Sequence, residues 1–385
     1  ATAALVPEQL AVLSHRGSPI VVQGGPGTGK TTVLIEAALS RIQEGQNPDS
    51  ILLLTYGRER ASELRDAIAL RTTKTMFEPL ARTFHSLAFS ILKMKAKGDP
   101  DPILLSGPEQ ESYIRELLQG DIEDGFKEWP EDLHKALTTN GFARELRDLI
   151  LRASERGVDA DELAELGLQE GEKYWVAAAA FWKRYLNSMV MREFSAQDAK
   201  LRIDPSELVS RASIHLRNNP DLLDQLRNRF TTIMVDEFQE SDPAHRSLIK
   251  LLSAQELTLF ADPDLAVGRF RGADPDNLLA DLEHFGIRNQ IQLSKKFRDV
   301  ANPKVAALSS ASDEANFIAH QFRAAHLRDG VPWSEMAVIL RSPGAQVAAL
   351  SRAFAQNQIP VQIDATALSL ADNPAIKPIL TIAQI

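Results

Sequence analysis

Along the first hundred residues, short aliphatic runs alternate with longer stretches in which apolar residues return every three or four positions. Ser18 to Gln23 (SPIVVQ) and Ile51 to Tyr56 (ILLLTY) have the length and composition of strands buried on both faces. Lys30 to Glu44 and Glu59 to Leu70 carry the period of amphipathic helices. Strand followed by helix, twice over, predicts a parallel sheet. The same alternation resumes at Thr231. Strands are predicted over TTIMVDEF, ELTLFAD and IQL, and helices over Pro243 to Ser253 and Asp276 to Phe285.

Residues 101–230 read differently. Glu109 to Leu118, Gly141 to Ala153, Tyr174 to Met191 and Pro205 to Leu216 are helical patterns separated by Pro, Gly and Asn breaks. With almost no strand-like run among them, they predict an all-helical insertion in an α/β core. A further unit is predicted from Asp313: a helix to about Arg328, a strand over EMAVILR, a helix from Ala345, a strand over IPVQI and a helix entering the chain end. The predicted domains are 1–100 and 231–295 for the two parts of a first core, 101–230 for the insertion, and 296–385 for the start of a second core.

With 385 residues, 44% of them apolar and 25% charged, the chain is long enough for two or three cores and is not disordered. It has no cysteine, which excludes disulfides, thiolate metal sites and cysteine nucleophiles and fits a reducing cytoplasm. It has no apolar run of about 18 residues and no basic, apolar leader, so a soluble intracellular protein is expected. Starting at Ala1 and stopping at Ile385 inside an apolar helical pattern, the sequence reads as a piece of a longer chain. A net charge of -9 argues at first against a phosphate-rich partner. The charge is unevenly spread, however: +3 over residues 1–100, -8 over 101–230 and -4 over 231–385.

The mildly basic first segment holds Gly24 to Thr31 (GGPGTGKT), which satisfies G-x-x-x-x-G-K-[ST] between a predicted strand and a predicted helix. Gly24, Gly25, Gly27 and Gly29, with Pro26 and Thr28 among them, let backbone N–H groups turn inward around a phosphate at a helix N-terminus. Lys30 would reach the β- and γ-phosphates of ATP and Thr31 would hold Mg²⁺, with Thr32 next in the nucleotide-binding set. Such a site needs a carboxylate at a strand end, and IMVDEFQE supplies two. Asp236 would bind Mg²⁺ and Glu237 would polarise the attacking water, which makes hydrolysis the implied reaction.

Taken in order from Gln9 to about Ile363, these and further motifs resemble the UvrD/Rep/PcrA group of superfamily 1 DNA helicases. The resemblance implies a RecA-like P-loop core, a helical insertion and the start of a second RecA-like domain. It implies that Gln9, in VPEQLAVL, reads the adenine edge. It also implies that LLLTYGRERASELRDAI (Leu52 to Ile68) and ARTFHSLAFSIL (Ala81 to Leu92) touch single-stranded DNA. Thr55 and Thr83 offer hydroxyls for phosphate, Tyr56 and Phe84 offer rings for stacking, and His85 opens a helix. Both rings also suit a core position at a strand end. DEFQE (Asp236 to Glu240) resembles a DEFQD-like box whose Gln, here Gln239, couples nucleotide state to DNA. FADPDLAVGRFRGAD (Phe260 to Asp274) resembles GDPDQSIYxFRGA and places Phe270 and Arg271 among the DNA contacts. LSKKFRDVANP (Leu293 to Pro303) resembles LxxNYRS, in which Phe297 would stack on adenine and Arg298 would touch the γ-phosphate from the second lobe.

There are departures. Leu265 stands where the coupling motif has Gln, Gly268 where it has Tyr, and Lys296 where the next motif has Asn. TYGRER, EPLARTFHS and LLSGPEQ are similar to actinobacterial helicase-nuclease motor subunits of the Adn type, which process double-strand breaks as heterodimers. That likeness implies an ATP-driven motor, nucleoid-associated in a bacterial cytosol, with single-stranded and duplex DNA and a second helicase-nuclease subunit as partners and with no membrane partner. The departures leave open a DNA-binding scaffold whose weak ATPase supports a partner motor.

Overall fold

The computed structural model describes residues 5–362 apart from 75, 77, 95–100, 127, 196–199, 253–255, 274, 276–277, 299–303 and 341–343. Its strands are β1 (Ile20–Gly24), β2 (Ile51–Thr55), β3 (Ala81–Thr83), β4 (Asp101–Leu104), β5 (Lys200–Ile203), β6 (Thr232–Val235), β7 (Glu256–Ala261) and β8 (Asn289–Leu293). Its helices are α1 (Pro7–Ser14), α2 (Lys30–Gln43), α3 (Arg58–Ala69), α4 (Phe84–Lys93), α5 (Gly107–Glu123), α6 (Asn140–Glu155), α7 (Ala160–Glu170), α8 (Lys173–Ser195), α9 (Leu208–Asn218), α10 (Pro220–Arg229), α11 (Pro243–Leu252), α12 (Leu278–His284), α13 (Ala311–Asp329) and α14 (Gly344–Gln356).

Six strands form one parallel sheet in the order β3-β2-β6-β7-β1-β8. The alternation of side chains along each strand explains why the sequence runs are apolar throughout rather than every second residue. Ile20, Val22, Ile51, Leu53 and Met234 face one side, against Val33, Leu34 and Ala37 of α2 and Leu64 and Ile68 of α3. Val21, Leu52, Leu54, Ile233 and Val235 face the other, against Leu87 and Ile91 of α4, Ala212 of α9 and Leu248 of α11. Both faces are thus covered by helices, and the sheet is parallel, as the strand–helix alternation predicts.

A buried ion pair ties the edge of this core together. Arg41 of α2 donates from Nε to Glu256 Oε2 (2.9 Å), from Nη1 to the Ala37 carbonyl (3.0 Å) and from Nη2 to the His15 carbonyl (3.0 Å). Its side chain is only 2% exposed. Removing one partner of a buried pair strands the other charge, so Arg41→Ala is expected to cost about 3–5 kcal/mol in urea unfolding. A loss below about 1 kcal/mol would show that the pair carries no weight.

The insertion packs α5, α6 and α8 around its own core, which includes Trp129, Phe142, Leu146, Phe181 and Tyr185. It is helical in its body but not at its base, where β4 and β5 pair in parallel, Asp101 opposite Lys200 and Leu104 opposite Ile203. This corrects the all-helical expectation. Strands of four residues containing a Pro or two cations lack the apolar signal by which a buried strand is read.

Packing divides the chain between Val300 and Ala301, which places Phe297 and Arg298 in the first unit. In the second unit, α13 and α14 pack through Ala315, Ala319, Leu350, Ala353 and Phe354. The strands predicted over EMAVILR and IPVQI are not formed among the described residues. Val338 and Leu340 pack inward while Ile339 is exposed, so the alternation survives. A strand also needs a ladder partner, and none lies beside either segment among the described residues. The helix predicted at the chain end lies outside the described residues.

Candidate active site

β1 ends at Gly24 and α2 begins at Lys30, so residues 25–29 must turn the chain over a helix N-terminus. Gly27 (φ +76°) and Gly29 (φ +84°) adopt left-handed backbone, which costs an L side chain about 1–2 kcal/mol. Space is also short. A Cβ on Gly29 would meet Gln9 Nε2 at 3.0 Å, and one on Gly27 would meet Arg298 Cβ at 3.2 Å. Thr28 is buried and closes the loop by donating from Oγ1 to the Gly25 carbonyl (2.8 Å).

Lys30 Nζ donates to the Gly24 and Gly25 carbonyls (2.5 and 3.3 Å) and pairs with Asp262 Oδ2 at 3.2 Å. Asp262 follows β7, the neighbour of β1 in the sheet. Its backbone N–H donates to Gln239 Oε1 (2.9 Å), and Gln239 Nε2 donates to Glu237 Oε2 (2.5 Å). A continuous polar chain therefore joins Lys30 to Glu237 through Asp262 and Gln239.

Asp236 directly follows β6, its N–H donating to the Leu54 carbonyl (2.9 Å), and it is fully buried. Burial pushes its carboxyl above the ordinary range, opposed by the Arg60 guanidinium. Arg60 Nε donates to Asp236 Oδ2 at 3.1 Å, and Arg60 Nη2 donates to Thr31 Oγ1. Asp236 Oδ1 is buried with no hydrogen-bond partner among the described residues. An orphaned carboxylate oxygen, with a threonine hydroxyl held by the same guanidinium as that carboxylate, is a hard-oxygen donor set of the kind Mg²⁺ takes, so the residues present fit that ion. Glu237 holds φ +53°, a left-handed conformation uncommon for a side chain of its kind. Strain of this sort clusters at functional sites, and here it turns the carboxylate out of the strand direction.

Gln9, Gly25, Pro26, Gly27, Gly29, Lys30, Thr31, Thr32, Glu237, Phe297 and Arg298 line one cleft of about 940 Å³, joined by Arg60, Asp262 and Leu265. Gly24, Thr28, Asp236 and Gln239 are hydrogen-bonded to residues that line it, namely Lys30, Gln9, Arg60 and Glu237. Phe297 N–H donates to the Gly27 carbonyl (2.8 Å), which fixes Phe297 and Arg298 against the phosphate loop. Gln9 is 3% exposed and spends its amide on protein: Oε1 accepts from Val6 N–H (3.1 Å) and Nε2 donates to the Thr28 carbonyl (3.2 Å). It is a strut between α1 and the loop. Arg60 and Asp262 were not singled out in the sequence. Their partners lie 176 and 232 positions away, and only the parallel order of the strands brings them together.

The expected DNA contacts divide. Thr55 and Thr83 end β2 and β3 and are register partners. Thr55 is buried at the end of its strand. Thr83 is the N-cap of α4, its Oγ1 accepting from Ser86 N–H (3.1 Å). Phe84 is 1% exposed, its ring centroid 5.0 Å from that of Tyr56 and 4.5 Å from that of His245. Phe84, Leu87, Ala88 and Ile91 form the inward stripe of α4, and a ring in that stripe has no free face. Tyr56 is half-buried with its hydroxyl bonded to Ser241, and His85 is exposed at the start of α4. Phe270 and Arg271 lie in the helical turn Gly268–Arg271. There, Glu240 Oε1 accepts from Val267 N–H (2.8 Å), and the Glu240 carboxylate fills the space that a Cβ at Gly268 would need.

A glycine-rich loop after an interior strand, an acidic pair after the strand two places away and helices on both faces define a RecA-like P-loop core. Residues 5–286 match the UvrD/REP helicase N-terminal domain, and the chain belongs to that family. It is similar to the DNA helicase II of Salmonella typhimurium, 26% identical over 296 residues that make up 75% of this chain and 38% of that one. It is also similar to the ATP-dependent DNA helicase PcrA of Staphylococcus epidermidis, 23% identical over 388 positions, covering 92% of this chain and 50% of that one. The chain thus spans half or less of these curated relatives. No helix among the described residues is long and apolar enough to cross a membrane.

Proposed function

We propose that this chain is the nucleotide-hydrolysing part of a DNA motor, a helicase or translocase that binds ATP with Mg²⁺ and acts on single-stranded DNA. The observation that carries this reading is the convergence of Lys30, Thr31, Glu237 and Arg298 on one cleft above buried Asp236. Lys30 would leave Asp262 for the β- and γ-phosphates. Bound by Thr31 and Asp236, Mg²⁺ would neutralise charge on the phosphate oxygens. Glu237 would accept a proton from water as its oxygen attacks the γ-phosphorus and the bond to the β–γ bridging oxygen breaks, giving ADP and phosphate. Arg298, packed on Gly27, would offset charge on the transferring group. Gln239, between Glu237 and Asp262, would pass the occupancy of the cleft to the loop that follows β7.

The finer proposal is a motor subunit of a two-motor helicase-nuclease in double-strand-break repair, in the bacterial cytosol at the nucleoid, with duplex DNA and a second such subunit as partners. It rests on the TYGRER, EPLARTFHS and LLSGPEQ segments. A scaffold or auxiliary motor is favoured by two observations: Leu265 lines the cleft at 47% exposure where a hydrogen-bonding residue would sense phosphate, and Glu240 fills the space beside Gly268. Steady-state ATP turnover with and without single-stranded DNA tests the motor. Stimulation by DNA, with turnover falling at least about 100-fold in Lys30→Ala, is expected. Equal turnover in the two proteins would remove the assignment. Unchanged turnover of the two-subunit complex when this subunit carries Glu237→Gln would favour the scaffold.

A further inference from the structure

Among the described residues, Arg60 is the one cation that touches both residues assigned to the metal. Its Nη2 bonds Thr31 Oγ1, its Nε bonds Asp236 Oδ2 at 3.1 Å, and its Nη1 bonds Glu63 Oε2 at 3.0 Å on the next turn of α3. Asp236 is completely buried, whereas the Arg60 side chain is 32% exposed and that of Glu63 66% exposed. The guanidinium thus reaches in from the rim of the cleft, and its carboxylate partner on the outer side sits at the surface.

Resting on the nucleotide-site reading above, we propose that Arg60 is a built-in competitor for the metal. It balances the buried Asp236 charge, and it must swing out toward Glu63 before a divalent cation can take Thr31 Oγ1 and Asp236. The chemistry makes the two states exclusive. Thr31 Oγ1 and Asp236 Oδ2 cannot accept from a guanidinium and ligate an ion in the same place, because two cations would share one small oxygen-lined volume. A buried carboxylate with neither partner would be costly, so one cation replaces the other rather than leaving a gap. The affinity of the site for metal is then reduced by the fraction of molecules in which Arg60 is displaced. Glu63 lowers the cost of displacement, because the guanidinium keeps an acceptor one helical turn away at (i, i+3). Arg60 is on this account a positioning residue that sets the metal threshold and touches no phosphate.

The test is metal binding rather than turnover. Mn²⁺, whose free ion has its own electron paramagnetic resonance signal, is titrated into the full chain with a non-hydrolysable ATP analogue. The proteins compared are wild type, Arg60→Ala and Arg60→Lys. The half-saturating Mn²⁺ concentration is expected to fall about tenfold in Arg60→Ala, and to fall less in Arg60→Lys, which keeps a cation but loses the fork. Without metal, Arg60→Ala is expected to melt below wild type, and saturating Mn²⁺ is expected to close that gap. An unchanged or higher half-saturating concentration in Arg60→Ala would overturn the competitor role. If wild type itself binds no Mn²⁺ with the analogue, the nucleotide-site reading fails instead. Arg60→Lys, which conserves charge and helix propensity, keeps the comparison available should Arg60→Ala fold poorly.

Discussion

Replacing Glu237 by Gln is expected to slow ATP hydrolysis by about 10²–10⁴-fold while leaving nucleotide affinity within about threefold. Glu237 lines the cleft on a left-handed backbone directly after the buried strand that ends at Val235. Its carboxylate touches Gln239, not the phosphate loop. A carboxamide keeps the volume and can still accept that hydrogen bond, so the cleft's shape is retained. It cannot take a proton from water, and the step that needs a base is the step that fails. Single-turnover release of phosphate, set beside equilibrium binding of a non-hydrolysable analogue, separates the two effects. Comparable losses of affinity and turnover would make Glu237 a binding residue and move the base elsewhere.

Replacing Phe84 by Ala is expected to destabilise the chain by about 3–5 kcal/mol in urea unfolding. The ring sits at the junction of β3 and α4 with Tyr56 and His245 against it, 1% exposed. Truncation leaves a cavity the size of a phenyl group under the sheet and removes the first anchor of the α4 stripe. Single-strand affinity, measured where both proteins are folded, is expected to stay within about twofold. A tenfold loss of affinity with little loss of stability would return the ring to the DNA.

Most of the first unit was legible because its signals are local. Continuous apolar runs marked β1, β2, β6 and β7, and the glycine-rich loop marked the turn into α2. Less was legible wherever meaning depends on a distant partner. The residues of β4 and β5 form strands only because they meet across the whole insertion, Ile103 opposite Arg202. EMAVILR has the alternation of a strand and no ladder partner among the described residues. Phe84 reads in the sequence as core or contact, and its ring is buried against Tyr56 and His245. Gln9 is a cleft residue, as its place in the sequence suggests, but its amide is bonded to the loop's own backbone. Arg60 lies within the TYGRER segment, but nothing in that segment gave it a role. A single Arg on an exposed helix start reads as solvated until the fold places Asp236 beside it.

Residues 24–32, Asp236, Glu237 and Arg298 are proposed to form one Mg²⁺–ATP site. Calorimetric titration of the full chain with a non-hydrolysable ATP analogue and Mg²⁺ tests it most directly. One site per chain is predicted, with affinity falling at least about tenfold in Lys30→Ala, since Lys30 is the cation placed to meet the β- and γ-phosphates. Equal affinity in wild type and Lys30→Ala, or no binding by either, would contradict the account.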